Sequence, residues 1–125
     1  MRVEAVATRI QTAVNGVLAL PREAVVQELV DRVGLELTAL IGGASETRHV
    51  SEWIDGREPR REDALRAALQ AVRAVSERYD NDAARAWLRS TNMGLNMRAP
   101  IVELREARQL RDYNRVVKCA VQDIS

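Results

Sequence analysis

A short segment near the middle of the sequence combines side chains of the types that recognise the edges of base pairs. Arginine pairs with guanine, glutamate accepts a hydrogen bond from cytosine, and serine or threonine can bond to either kind of edge. These types occur together at Glu46, Thr47, Arg48, Ser51 and Glu52. Near the start of an exposed helix, such side chains have the chemistry to read the major groove of DNA.

The residues around this segment predict the two helices of a helix-turn-helix. A short helix from Leu35 to Ile41 is followed by Gly42-Gly43, and Ser45 is expected to cap the next helix. Such a unit needs a small residue where the helices meet, a tight turn and apolar contacts that fix the crossing. The residues predicted for these roles and for the end of the second helix are Ala39, Val50, Trp53, Ile54 and Gly56. The same pattern also fits an ordinary α-hairpin within a helical bundle.

The charge distribution is unusual for a DNA-reading helix. Glu46, Glu52 and Asp55 accompany a single arginine on the predicted reading edge. Phosphate contacts must then come from the rim, where the candidates are Arg57, Arg60 and Arg61. The chain has a net charge of only +1. Because non-specific affinity grows with the number of phosphates neutralised, this balance predicts weak non-specific binding, so specific binding to operator DNA would need a homodimer on two half-sites.

The hydrophobic pattern predicts an all-α protein of six or seven short helices, packed as an irregular helical bundle. An N-terminal stripe at helical spacing consists of Val3, Val6, Ile10, Val14, Val17 and Leu18. This stripe is a candidate dimer interface, and it fits equally well as a cap on the bundle. A second stripe, between Pro21 and Gly34, consists of Val25, Val26, Leu29, Val30 and Val33.

Further along the chain, proline and polar residues mark the expected helix starts. Pro59 is expected to open a longer helix, and Asp80, Asn81 and Asp82 are alternative caps for the next one. Pro100 is expected to begin a helix that carries Ile101, Leu104 and Leu110, whereas the tail alternates too weakly to assign. We therefore expect N-terminal helices in residues 1–34, the helix-turn-helix in residues 35–79 and a helix–loop–helix with a tail in residues 80–125.

The sequence lacks the residue clusters on which most catalytic chemistry depends. The lone His49 and lone Cys119 are seventy positions apart, too few and too scattered to predict a metal site or a thiol nucleophile, and no glycine-rich phosphate loop is present. We expect neither an enzyme nor a cofactor. No apolar run reaches the roughly 18–20 residues that span a bilayer, so no membrane contact is expected. The single cysteine and the charged N-terminal segment indicate a cytoplasmic protein.

The segment from residue 86 to residue 108 carries a further pattern, in which a Trp-Leu helix, an Asn-x-x-Leu loop and a proline-led helix follow one another. The matching residues are Trp87, Leu88, Asn92, Leu95, Pro100 and Leu104, preceded by Gly42, Val50, Trp53, Gly56 and Pro59. In this arrangement the chain resembles the MbcA/ParS/Xre antitoxin family over roughly residues 29–112. It departs from the family in having Met93 after the loop asparagine and Asn96-Met97 where glycines commonly fall.

The resemblance implies a small helical antitoxin that binds a RES-type toxin, covers its active site and represses its own operon. It implies toxin contacts at Asn92, Arg98, Arg115 and Lys118, with residues 113–125 as the inhibitory segment. Two alternatives stay open. One is a stand-alone repressor of phage or plasmid type, and the other is an interaction module whose helix-turn-helix is vestigial.

Overall fold

Eight α-helices form the part of the chain that the computed structural model describes, which is residues 3–124 with side chains from Glu4 onward. They are α1 (Val3–Gly16), α2 (Arg22–Val33), α3 (Leu35–Ile41), α4 (Arg48–Ile54), α5 (Glu62–Arg78), α6 (Asn81–Arg89), α7 (Pro100–Glu106) and α8 (Leu110–Val121). Short 3₁₀ turns occupy Val17–Ala19 and Met93–Leu95, and no strand forms within residues 3–124. The predicted all-α class and irregular bundle are confirmed.

The long helix α5 is the centre of the bundle and packs against α1, α2, α6 and α8. Its sequence contains no glycine or proline and is rich in alanine, the best helix former. One broad face is buried, and it consists of Ala64, Leu65, Ala67, Ala68, Leu69, Ala71, Val72, Ala74 and Val75. The small alanines let neighbouring helices approach α5 closely, while each fully buried leucine contributes about 1.5–3 kcal/mol. All three predicted regions contribute to the core that surrounds this helix.

The N-terminal stripe belongs to that core. Ile10, Val14 and Val17 are buried, and α1 packs along α5. Leu18 alone among the described stripe residues is strongly exposed, at 70%. This apolar surface therefore caps the bundle, the second of the two interpretations, and dimerisation through residues 1–34 stays a prediction. Met1, Arg2, Ser125 and the side chain of Val3, which the predictions include, lie outside the described residues.

Several helix ends follow the expected chemistry. Gly34 ends α2 with a φ of 97°, a conformation that glycine adopts without strain. Asp80 is the N-cap of α6, and its carboxylate accepts a hydrogen bond of 2.7 Å from the backbone N–H of Ala83. Pro100 occupies the first turn of α7. The end of α2 and the starts of α6 and α7 therefore lie where the sequence predicts them.

Three expected boundaries are wrong. Ser45 does not cap α4, because Thr47 precedes the first helical residue, and neither side chain makes a cap hydrogen bond. Pro59 lies three residues before α5 and is buried in the connection. Leu110 does not extend the apolar face of α7; it opens α8 and is largely exposed.

The C-terminal segment is an integral helix. Val116, Cys119 and Ala120 are buried, and α8 packs more extensively against α5 than any other helix does. Arg78 at the end of α5 donates hydrogen bonds of 3.1 Å and 2.9 Å to the carbonyl oxygens of Ala120 and Val121. The described residues 113–124 are therefore part of the bundle, and releasing them would open the core, while the inhibitory role of residues 113–125 stays a prediction.

Candidate functional site: the reading edge of α4 and the loop 92–98

Helix α4 is fixed on the bundle by its apolar side. Val50 and Trp53 are buried, and α4 packs on α2 and α3. Where the turn after α3 meets α4, a β-carbon on residue 42 would lie 2.5 Å from Cζ3 of Trp53, so only glycine fits there. The backbone N–H of Ala44 donates a hydrogen bond of 2.9 Å to the carbonyl oxygen of Ala39, which tightens the same turn. These local features fit a helix-turn-helix and also an α-hairpin within a helical bundle, so the helix-turn-helix stays a prediction.

The opposite side of α4 is open to solvent. We call this side the reading edge, and it consists of Glu46, Thr47, Arg48, Ser51 and Glu52. The first four are exposed and Glu52 is half-buried. The structure thus brings all five predicted base-reading residues to one surface and leaves the opening turn of α4 free of the interior.

The charges on this edge are paired with one another. Arg48 Nε lies 2.7 Å from Glu46 Oε2, and Arg57 Nη1 lies 3.0 Å from Glu52 Oε2. His49 Nδ1 is 3.2 Å from the same glutamate oxygen. The hydrogen bond with His49, followed by that with Arg57, lowers the pKa of Glu52. Because ion pairs exposed to water contribute little to stability, a polyanion can separate these at small cost.

The predicted phosphate-contacting arginines have three different settings. Arg57 is paired with Glu52 as described, whereas Arg60 is exposed and forms no ion pair with the residues described. Arg61 turns inward, and its Nη2 donates to the carbonyl oxygens of Leu104 at 2.9 Å and Ala107 at 2.5 Å. The structure therefore leaves Arg60 as the freest cation on the rim, and Arg61 joins the start of α5 to the end of α7.

A groove of about 390 Å³ runs beside α4 on the same side as Arg60. Its walls include Gly43, Ser45, His49, Glu52, Arg57 and Arg60. Acidic and basic side chains both line this groove, so its charge is mixed, like that of the reading edge.

The loop 92–98, which lies between α6 and α7, is held by one buried asparagine. Asn92 is 1% exposed; its Nδ2 donates a 2.7 Å hydrogen bond to the carbonyl oxygen of Ile124, and its Oδ1 accepts one of 2.8 Å from Gly94 N–H. Trp87 Nε1 donates to the same Ile124 oxygen at 3.3 Å. Asn92 also pairs with Arg98 through an antiparallel bridge. Asn92 thus organises the loop from inside and is not on its surface.

Two methionines occupy the outside of this loop. Met93 and Met97 are 74% and 60% exposed, and Met97 has a positive φ of 64°, which is strained for a side chain of this size. At Gly94 a β-carbon would lie 2.6 Å from Sγ of Cys119, so the loop is pressed against α8. Exposed, flexible methionine side chains on a firmly seated loop are well suited to contact another protein. The sequence marks these methionines only as departures from the family pattern; their exposure depends on the tertiary fold.

The other residues predicted to contact a toxin lie at the end of the loop 92–98 and on α8. Arg98 lies 3.2 Å from Glu103 and is also paired with Glu106. Arg115 and Lys118 are exposed on the outer face of α8, and neither forms an ion pair with a described residue. Arg98 is joined to Asn92 through the backbone bridge, but the side chain of Asn92 is buried beneath the loop and does not share a surface with the three cations.

No protein-family model, curated protein or solved structure matches the chain. Within residues 3–124, no group of three or more His, Cys, Asp and Glu side chains is arranged to hold a metal ion. In the same part of the chain, no helix combines the length and the apolar character that crossing a membrane demands. The family assignment stays a prediction from the residues that carry the resemblance.

Proposed function

We propose that this chain is an antitoxin-like DNA-binding protein. In this proposal α4 binds operator DNA and represses the chain's own operon, while the loop 92–98 binds a partner toxin and occludes its active site. The RES type of toxin follows from the family resemblance. The proposed setting is the cytoplasm, and two copies on adjacent half-sites would supply the specific affinity that one copy lacks.

The single observation that carries the DNA-binding half is the exposed opening turn of α4. Val50 and Trp53 hold the helix from behind, and Arg48 and Ser51 project from its other side. A helix presented in this way can enter the major groove with its N-terminal residues against base edges. Arg48 is the best guanine contact on the edge, because its guanidinium can bond both acceptors of that base.

The loop 92–98 supports the partner-binding half. Its internal hydrogen bonds fix the backbone, so little conformational entropy is lost when a partner covers Met93 and Met97. The proposal does not require residues 113–125 to leave the bundle, because α8 is packed in the core. Once the loop is bound to the toxin, the rest of the helical bundle would cover the toxin's active site.

A second candidate is an interaction module whose helix-turn-helix no longer binds DNA. The observation that favours it is the pairing of Arg48 with Glu46 and of Arg57 with Glu52, which neutralises the one arginine of the edge and one arginine of the rim. A helix that serves only as a scaffold does not need free cations. Carboxylates at these positions would therefore not impair its role. This candidate retains the toxin-binding loop and differs from the first only in that α4 does not bind DNA.

The test of the DNA-binding half is selection from random-sequence duplex DNA, followed by titration of the enriched sequence at two salt concentrations. A repressor enriches one motif and binds it with a modest salt slope, because net charge near zero limits the phosphate term. Failure to enrich any motif would remove the repressor and leave the interaction module.

The partner-binding half is tested by co-expression with the toxic product of the neighbouring reading frame. The double variant Met93→Glu/Met97→Glu should lose neutralisation, because two carboxylates replace the apolar contact surface. The matched control is Leu18→Glu, since Leu18 is comparably exposed on a distant part of the bundle. Neutralisation that survives in the methionine variant, or is lost equally in the control, would remove the loop from the interface.

A further inference from the structure

A line of positive charge runs along the outer face of α8. We call it the basic stripe, and it consists of Arg108, Arg111, Arg115 and Lys118. All four side chains are exposed, and none forms an ion pair with the residues that the structure describes. Spacings of three and four residues place the last three on one side of the helix, over about 10 Å at 1.5 Å per residue. Their side is opposite to Val116 and Ala120, which face the core.

Few carboxylates lie along the stripe, and those nearby have hydrogen-bond or ion-pair partners outside its side chains. Asp112 is the only acidic residue of α8, and its Oδ2 accepts hydrogen bonds of 3.2 Å from the backbone N–H groups of Arg108 and Gln109. These bonds, followed by the positive charges of Arg111 and Arg115, lower the pKa of Asp112. On either side in the chain, Glu106 is paired with Arg98, and Asp123 accepts a hydrogen bond from Tyr79. An ordinary solvated helix face mixes both signs, so a face with cations alone is a distinct feature.

The stripe starts near the rim of the helix-turn-helix. Arg61 bonds to the carbonyl oxygen of Ala107, the residue before Arg108, and Arg60 lies next to Arg61 in the chain. The Gly43 end of the turn before α4 also contacts the side chains at 60 and 61, since a β-carbon there would lie 3.2 Å from Arg61. Arg61 therefore links the turn before α4 to the residue before the first cation of the stripe.

We propose that the basic stripe is a binding surface for the sugar-phosphate backbone of nucleic acid, used without regard to base sequence. Three of its four cations are arginines, whose planar guanidinium groups bond phosphate oxygens in pairs. The inference extends the proposed DNA binding, since it supplies the phosphate contacts that the paired arginines on the reading edge do not.

An acidic protein is the other class of partner with a complementary charge, and the surroundings of the stripe favour nucleic acid. The core of a protein interface is depleted of charge and enriched in aromatic residues. Within the exposed arc of α8, the neighbours of the cations are polar, at Asn114 and Gln122, and Tyr113 is turned inward near Ala107. Leu110 is the one large apolar side chain exposed at the start of the helix.

The experiment measures binding of the full chain to a fluorescent duplex of arbitrary sequence across a range of salt concentrations. The variant Arg111→Gln/Arg115→Gln should weaken binding about tenfold at low salt and reduce the slope of log K against log salt by about 1.8, or 0.9 for each phosphate that is no longer neutralised. The matched control is Arg85→Gln/Arg89→Gln, which removes two exposed arginines at the same four-residue spacing from α6. Circular dichroism melts establish that each variant folds.

The control and the wild type should have similar slopes. An unchanged slope in the α8 variant, or an equal loss in the α6 control, would overturn the proposal. So would an α8 variant that binds the duplex normally but no longer binds poly-glutamate, because that result assigns the stripe to acidic proteins.

If no operator motif is enriched by selection, the proposed repressor fails while duplex binding through the stripe is still measured. If an operator exists, Arg48→Ala should weaken binding to the operator and leave binding to the arbitrary duplex unchanged. The stripe variant should weaken binding to both.

Discussion

Gly42 and Trp53 are in such close contact that the turn before α4 has no room for a side chain. A β-carbon on residue 42 would be 2.5 Å from Cζ3 of the indole and 3.3 Å from Cδ1 of Leu65. The ring is part of the core, so it cannot move aside without disturbing its neighbours. The position of α4, and with it the reading edge, depends on this contact.

We predict that Gly42→Ala lowers the free energy of unfolding by about 1–3 kcal/mol, the usual cost of overpacking a core. Chemical denaturation measures the change. Gly16→Ala is the control, because there the nearest atom, at 3.0 Å, is Nη1 of Arg73, the end of a side chain held by hydrogen bonds and not a ring packed in the core. An equal cost in the two variants would show that loss of glycine itself, and not the indole contact, is responsible.

Arg48 and Glu46 should have opposite effects on DNA binding. Arg48→Ala is expected to abolish sequence-specific binding, because it removes the guanine contact, and to leave stability within about 0.5 kcal/mol, because the side chain is exposed. Glu46→Gln is expected to strengthen binding several-fold, because it frees the arginine and removes a repelling carboxylate. Titration of the selected operator measures both. Unchanged affinity in the Arg48 variant would take this residue out of the site.

Asn92 should matter for stability more than any exposed asparagine. Asn92→Ala breaks the hydrogen bonds with Gly94 N–H and with the Ile124 carbonyl inside the protein, so we expect a loss of about 1–3 kcal/mol. The comparison is Asn114→Ala on the exposed face of α8, which should change stability by less than about 0.5 kcal/mol. Thermal melts of the two variants give the difference. Similar melting temperatures would mean that the loop does not depend on its buried amide.

Deletion of residues 113–125 should unfold the protein and not merely release a toxin. The deletion removes Val116, Cys119 and Ala120 from the core and uncovers one side of α5. We expect loss of the cooperative thermal transition, measured by circular dichroism. Lys118→Gln, which alters the same helix on its exposed face, should melt like the wild type. A truncated chain that still melts cooperatively would show that α8 is dispensable for the fold.

Glu28 makes stability depend on pH. It accepts hydrogen bonds of 2.7 Å and 2.6 Å from Arg73, and these, with a bond from Arg32, hold its pKa below the ordinary value of 4.5. A carboxylate whose pKa is depressed on folding stabilises the protein above its unfolded pKa, and this contribution is lost as pH falls through the folded pKa. Glu28→Gln should therefore be less stable than the wild type at neutral pH.

The difference between Glu28→Gln and the wild type should shrink as the pH falls below 4.5. Urea unfolding at a series of pH values measures it. Glu77→Gln on the exposed side of α5 serves as the control and should follow the wild type throughout. A gap that stays constant down to acid pH would contradict the assignment to the Glu28 carboxylate.

Local signals account for what the sequence predicts well. The end of α2 follows from Gly34 and the end of α3 from the Gly42-Gly43 turn, because Gly34 and Gly43 adopt positive φ values of 97° and 84° that glycine tolerates. The exposed reading edge follows from the spacing of Val50 and Trp53, which must face inward together.

What the sequence cannot predict depends on contacts between distant positions. Arg61 looks like a rim cation, yet it turns inward because the carbonyl oxygens of Leu104 and Ala107, more than forty residues later, are brought within its reach. Helix α8 gives a weak pattern because its buried side combines one valine with the small residues Cys119 and Ala120. The pairing of Arg48 with Glu46 depends on rotamers that no spacing rule specifies.

The helix α5 has a consequence for how this protein can have evolved. It is the helix that follows the reading helix and, at the same time, the support on which α1, α6 and α8 pack. A recombination event that moved the helix-turn-helix alone into another gene would leave two fragments with incomplete interiors. An exchange that keeps both halves folded therefore has to carry α5 and the helices packed on it as one unit.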